Sequence, residues 1–195
     1  MITLVVFHDV QDYATWKPAF DAHAPVRAAH GVIEHRVYQG LHDANRAIVH
    51  IDFPSEEAAR GFMADPSLKT AMADAGVVGE PWLGLNTHVE ARTYADAPVG
   101  AIAAVHHPVR DYAAWKPVFD DHEAVRRAHG ALGHRILTSL DDPNRVVIHN
   151  LFPSESAAQA FAGDPSLPEA MERGGVTAEP SIGWVTLSET KVYAG

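Results

Sequence analysis

Residues 12–31 read DYATWKPAFDAHAPVRAAHG, and residues 111–130 read DYAAWKPVFDDHEAVRRAHG. Wound as a helix at about 100° per residue, Trp16, Phe20, His23, Arg27 and His30 recur at 4-3-4-3 spacing and fall in one narrow stripe. The start of the stripe is aromatic and its end is cationic or titratable. A helix that only filled a core would not finish its buried side with His-Arg-His. The pattern predicts a pocket beneath the helix, and it predicts that pocket twice.

A constant shift of 99 residues superposes the two halves of the 195-residue chain. Tyr13, Trp16, Phe20, His23, Arg27 and His30 meet Tyr112, Trp115, Phe119, His122, Arg126 and His129. The match runs on through His35/His134, His50/His149, the FPSE and DPSL segments and the EP pair, and roughly half of the aligned positions are identical. Duplication explains this economically. Two long copies are not a solenoid array, which needs several shorter units. The small, Pro- and Gly-bearing ADAPVG (95–100) reads as the linker between repeat 1 (1–95) and repeat 2 (100–195).

Within a repeat, Ile2–Val10 is β-rich, and Asp12 can cap a helix that Gly31 ends. Pro18 predicts either a separate first turn or a kink there. Val32–Leu41 and Arg46–Phe53 read as strands around a hairpin turn, Ser55 caps a second helix, Ser67 can cap its continuation, and Trp82–Tyr94 supplies a last strand. The order β-α-β-β-α-β is that of a split-βαβ, ferredoxin-like plait. Apolar residues at both strand parities ask for cover on both sheet faces. Two sheets packed face to face give it, as an internal dimer about an approximate two-fold axis.

Composition narrows the function. The chain carries a net charge of −10 and no Lys/Arg run, which argues against a nucleic-acid or anionic-membrane surface. It has no cysteine, so disulfides, thiolate metal sites and Cys nucleophiles are excluded. The opening MITLVVFHDV lacks a basic leader and reads as a strand, and no apolar run reaches a membrane span. A cytoplasmic location is the expectation. No Gly-rich phosphate loop, nucleophile elbow or carboxylate pair occurs.

The α+β layout resembles the dimeric α/β-barrel superfamily with two subunits fused in tandem. DYATWKPAFDAHAPVRAAHG, the hairpin, the F-x-S-x-x-x-A-x-x-F segment and DPSL…AM…GV…P are similar to small proteins related to the antibiotic-biosynthesis-monooxygenase group. The resemblance covers nearly the whole chain. It implies the fold. Members include cofactor-free monooxygenases, haem-degrading enzymes, cyclases, isomerases and dehalogenating proteins, so it implies no single reaction. No catalytic set transfers residue by residue, and no haem ligand is implied.

Ten of the 13 histidines form five pairs across the repeat: His8/His107, His23/His122, His30/His129, His35/His134 and His50/His149. In a 4-1-3-2 sheet the strands bearing His8, His50 and His35 are neighbours. A hairpin register that sets Val37 against His50 puts His50 and His35 on one face, under His23, Arg27 and His30. A slip of one residue exchanges His35 for Arg36.

Three readings follow. In one, a small aromatic or enolisable ligand binds, and His23, His30, His35 and His50 (His122, His129, His134 and His149) serve as acids and bases. Arg27 and Arg126 then hold an anionic oxygen, and Tyr13, Trp16, Phe20, His8 and Tyr38 (Tyr112, Trp115, Phe119 and His107) shape the site. No organic cofactor is called for. In the second, histidines bind a metal or haem, but His23 and His30 stand about 10.5 Å apart along a helix and no H-x-H or H-x-x-x-H occurs. In the third, the groups are structural, with Arg27 paired to Asp52 or Glu34, and the protein binds a ligand without turnover. The halves differ at Asp9/Pro108, Tyr38/Leu137, Asp52/Leu151, Trp82/Ser181 and Leu85/Trp184. Bulky Tyr38 and Trp82 predict two cavities that are not equivalent.

Overall fold

The computed structural model describes residues 1–193. The first repeat runs β1 (Ile2–Val10), α1 (Tyr13–Ala22), α2 (Ala24–Ala29), β2 (Glu34–Gly40), β3 (Arg46–Phe53), α3 (Glu56–Met63), α4 (Pro66–Asp74) and β4 (Val77–Thr93). The second follows with β5 (Ala101–Pro108), α5 (Tyr112–Asp121), α6 (Glu123–Ala128), β6 (Gly133–Ser139), β7 (Arg145–Phe152), α7 (Glu155–Ala162), α8 (Ser166–Arg173) and β8 (Ser181–Val192). The fold is α+β and ferredoxin-like in each repeat, with antiparallel strand pairs. No helix among the described residues is long and apolar enough to cross a membrane.

Compactness does not follow the repeat boundary. One unit comprises residues 1–87 together with the chain from Leu187 onward, and the other spans His88–Thr186. The first unit therefore holds strands in the order β4-β1-β3-β2-β8, using only the end of β8. The second holds β8-β5-β7-β6-β4, using only the end of β4. Gly133 at the head of β6 lets the β4 end come close, because a Cβ there would collide with the Arg92 carbonyl. Tyr94 N–H then donates to Leu132 O at 2.8 Å, as Tyr193 N–H does to Ile33 O at 2.9 Å.

The long helix read from residues 12–31 is two helices. Asp12 caps α1 as expected, accepting from Thr15 N–H, but Pro18 lies inside α1 and the break falls at His23. Pro25 cannot donate a backbone bond. It is not the required cause, because α5 and α6 break identically at His122, where the second repeat has Ala124. Asp65, rather than Ser67, caps α4, and Gly76 ends it with a φ of 75°. Under the helices, Leu4, Val6, Val37, Val49, Ile51 and Phe53 form one buried sheet face, with Ala59 and Phe62 packed on it from α3.

Candidate active site

The hairpin register decides which histidines meet the helices. Val37 pairs with Val49, and Arg36 pairs with His50. This is one residue from the register expected above, and it separates His35 from His50. His35 stays on the helix face, with its ring edge-on to Phe20 at 5.0 Å. His50 lies on the opposite face with Tyr38, whose ring is 5.1 Å away. His149 does the same in the second repeat, opposite Arg135. Tyr38, His50 and His149 are therefore not part of the predicted pocket. Asp52, also on that face, accepts from Thr3 and Arg36 at 2.6 and 2.5 Å. Glu34 pairs with Arg36 at 3.2 Å, so neither carboxylate is the counter-ion of Arg27.

What the first repeat does bring together is His8, Trp16, Phe20, His23 and Arg27, around a cavity of about 60 Å3 floored by Val49 and Ile51 and closed by Leu68 and Met72 of α4. The 4-3-4 part of the stripe faces this space. Trp16 and Phe20 stack with ring centres 5.0 Å apart, and His8 tilts over Trp16 at 5.3 Å. Both His8 ring nitrogens are buried without a hydrogen-bond partner. Burial, partly offset by Asp9, holds His8 down at about 4, so its imidazole is neutral at pH 7. His23 sits at the helix break, where its Nε2 meets Ser67 Oγ at 3.1 Å. Burial, then the charge of Arg27, lowers its pKa.

Arg27 is only 1% exposed. Its guanidinium lies 3.9 Å over the Phe20 ring, and Nε–H donates to the Tyr193 hydroxyl at 2.6 Å. Nη2 is buried with no partner, and among the described residues no carboxylate pairs with Arg27. Behind it the proton order follows from a neutral His35, whose pKa burial lowers, because Arg and Lys only donate and Glu only accepts. Tyr193 O–H gives its proton to His35 Nδ1 at 2.9 Å, and His35 Nε2–H donates to Glu189 at 2.7 Å. Lys17 closes the chain on Glu189 at 2.6 Å. His35 is thus a neutral relay that orients Tyr193 and, through it, Arg27; burial keeps its pKa low.

The second compact unit, His88–Thr186, repeats this with its own atoms. His107, Trp115, Phe119, His122 and Arg126 line a cavity of about 100 Å3. Arg126 stacks 3.7 Å over Phe119, donates to Phe119 O at 2.7 Å, and leaves Nε unpartnered. Tyr94, His134, Glu90 and Lys116 form the same chain, with the His134 bonds at 2.6 and 2.7 Å. Burial holds His107 at about 4.

His30 and His129 stand outside both cavities. They clamp Asp65 and Asp164 at 2.9 and 2.7 Å, the residues that also bind Ser67 and Ser166. Those serine and histidine bonds hold both carboxyls at about 2. Tyr13 likewise leaves the pocket and bonds Ser188 at 2.9 Å, whereas the Tyr112 hydroxyl is buried without a partner, the position that corresponds to Ser188 being Val89. Sequence reading missed Glu90, Tyr94, Glu189 and Tyr193. The signal was present: both pairs recur at the same shift of 99, at the ends of the last strands.

Among the described residues no three His, Asp or Glu side chains gather as a ligand set.

No family model and no curated protein matches the sequence. Solved structures do resemble the fold. An anthrone oxidase-like protein is 17% identical, with a TM-score of 0.74, over 98% of this chain and 92% of that one. A ferredoxin-fold protein related to antibiotic biosynthesis monooxygenases, from Listeria monocytogenes, is 8% identical with a TM-score of 0.54, over 97% and 95%. A monooxygenase-like protein from Listeria innocua is 9% identical with a TM-score of 0.53, over 97% and 95%. The fold is that of the antibiotic-biosynthesis-monooxygenase-like proteins. At these identities the likeness is one of fold, and it runs along nearly the whole of this chain and of each neighbour.

Tyr193→Phe removes the acceptor of Arg27 Nε–H and the donor to His35 at once. Urea unfolding is expected to show a loss of about 1–3 kcal/mol; an unchanged midpoint would mean that the chain does not hold Arg27. A second test is pH. His8 and His107 sit at about 4 when folded, against 6.5 ordinarily, so unfolding takes up protons between those values. Their contribution is whole above pH 6.5 and is lost as pH falls toward 4, by about 3 kcal/mol for each. A His8→Leu/His107→Leu variant is expected to show a flatter profile over this window, and an equally steep one would contradict the assignment.

Proposed function

We propose that each repeat is a small-molecule enzyme site that acts, without an organic cofactor, on an enolisable or phenolic aromatic compound. The observation that carries this reading is the pairing, in one aromatic-walled cavity, of an unpartnered neutral imidazole with a buried guanidinium that has no counter-ion. A neutral His8 can take a proton from carbon or phenol oxygen. The electron pair moves onto the ligand oxygen, where Arg27 Nη2 meets the developing charge in a dry site, in which such a contact is strongest. The imidazolium and the enolate then stabilise each other, which offsets the burial that otherwise holds His8 low. Trp16 and Phe20 supply flat walls for an aromatic ring. His107, Arg126, Trp115 and Phe119 take the same parts in the second repeat.

The stable carbanion or phenolate so formed is what molecular oxygen attacks in a cofactor-free oxygenation. For an anthrone the balance is anthrone plus O2 giving anthraquinone and water. The names of the fold neighbours, anthrone oxidase-like and monooxygenase-like, support this choice of reaction over an isomerisation or cyclisation. A fused-ring substrate exceeds the cavity, so α4 has to swing outward. That helix has no fully buried residue and rests on half-buried Leu68 and Met72, which makes such a motion cheap. The second reading is a binding protein without turnover, and the low pKa of His8 favours it, since a weak base removes protons slowly.

Oxygen uptake and quinone absorbance with anthrone as substrate separate the two. The wild type is expected to turn over, and His8→Gln/His107→Gln to lose about 100-fold or more in kcat while still binding anthraquinone. Arg27→Met/Arg126→Met is expected to raise KM and lower kcat together. Saturable binding with no oxygen uptake would sink the enzyme reading and leave the binding one.

A further inference from the structure

The two cavities share Trp, Phe, His, Arg, Leu and Met at matching positions, but their floors differ in chemistry. Ile51 lines the first. The residue 99 positions on, Asn150, lines the second. Both stand on the strand face beneath the helices, opposite His35 and His134 respectively. Asn150 is 4% exposed and its Oδ1 is buried without a partner. Two further buried polar atoms around the same space also lack partners, His107 Nδ1 and Arg126 Nε. A buried amide oxygen with no partner weakens the fold, because the hydration of that oxygen is lost and nothing replaces it. Isoleucine at the matching position of the first repeat shows that the scaffold accepts an apolar residue there.

We propose that Asn150 is a specificity-determining contact, which makes the second cavity select a planar organic anion carrying a hydroxyl, while the first takes the unsubstituted anion. This rests on the reading of both cavities as ligand sites. Arg126 receives the anionic end, Trp115 and Phe119 hold the ring, and the hydroxyl meets Asn150. A hydroxyl both donates and accepts, so it satisfies the amide in either orientation. The greater volume, about 100 against 60 Å3, leaves room for the added atom. The chain then houses two related but distinct sites rather than one site made twice.

Calorimetric titration with benzoate and its three monohydroxy derivatives tests this on the full chain. The wild type is expected to bind at least one hydroxybenzoate about 10- to 100-fold more tightly than benzoate, at one site per chain. Asn150→Ile is expected to lose that preference while keeping benzoate binding and an equal or higher Tm; Asn150→Leu serves as a second replacement. Ile51→Asn, or the gentler Ile51→Thr, is expected to add a second hydroxybenzoate-preferring site. If Asn150→Ile and Asn150→Leu keep the wild-type preference, the inference falls while the cavities stand as ligand sites. If no probe binds, or binding is unaffected by Arg27→Met/Arg126→Met, the reading of the cavities falls, and the inference with it.

Discussion

A guanidinium buried to 1% exposure with no carboxylate partner is the constraint around which each unit is built. Taking such a charge out of water costs several kcal/mol unless something answers it. Here the answer to Arg27 is partial: a phenyl face below, one phenol oxygen at the side, and a buried Nη2 left without a partner. The phenol is itself held by a neutral histidine, and the histidine by a glutamate that a lysine anchors. Two neutral groups therefore stand between the Glu189 carboxylate and Arg27 along this chain of hydrogen bonds. That arrangement holds the guanidinium in place with no carboxylate against it among the described residues, which supports the proposed anion site over a structural ion pair.

The route by which the chain reaches this arrangement explains the position of the unit boundary. Tyr193 and Glu189 come from the end of β8, and Tyr94 and Glu90 from the end of β4. Each anchoring pair thus belongs to the same compact unit as the arginine it serves, although it lies in the other sequence repeat. Duplication preserved the pair at a constant offset. It did not preserve every contact: the Tyr13 partner Ser188 became Val89, the Asp52 carboxylate became Leu151, and Ile51 became Asn150.

Much of this was legible in the sequence. The fold order, the caps at Asp12 and Ser55, and the Trp16–Phe20–His23–Arg27 stripe all follow from spacing, because a helix face is a local property. His30 left the stripe because the break at His23 redirects α2, so that its last residue turns toward Asp65. His50 and Tyr38 left the pocket because hairpin register depends on one residue of turn geometry, and a one-residue slip moves every side chain to the other face. His8 was read as a contact that shapes the site, not as an acid or base. Only its environment, with both nitrogens buried and unmatched, makes it the base of the proposed reaction. Glu189 and Tyr193 lie more than 150 positions from the residues they hold, beyond any periodic signal.

The most direct measurement concerns the two arginines. Guanidinium Nε–Hε resonances of Arg27 and Arg126, assigned with Arg27→Lys and Arg126→Lys variants, can be followed by NMR during titration with benzoate. The account predicts that both signals shift along the binding curve and that their exchange with solvent slows. Saturable benzoate binding with both signals unmoved would contradict it.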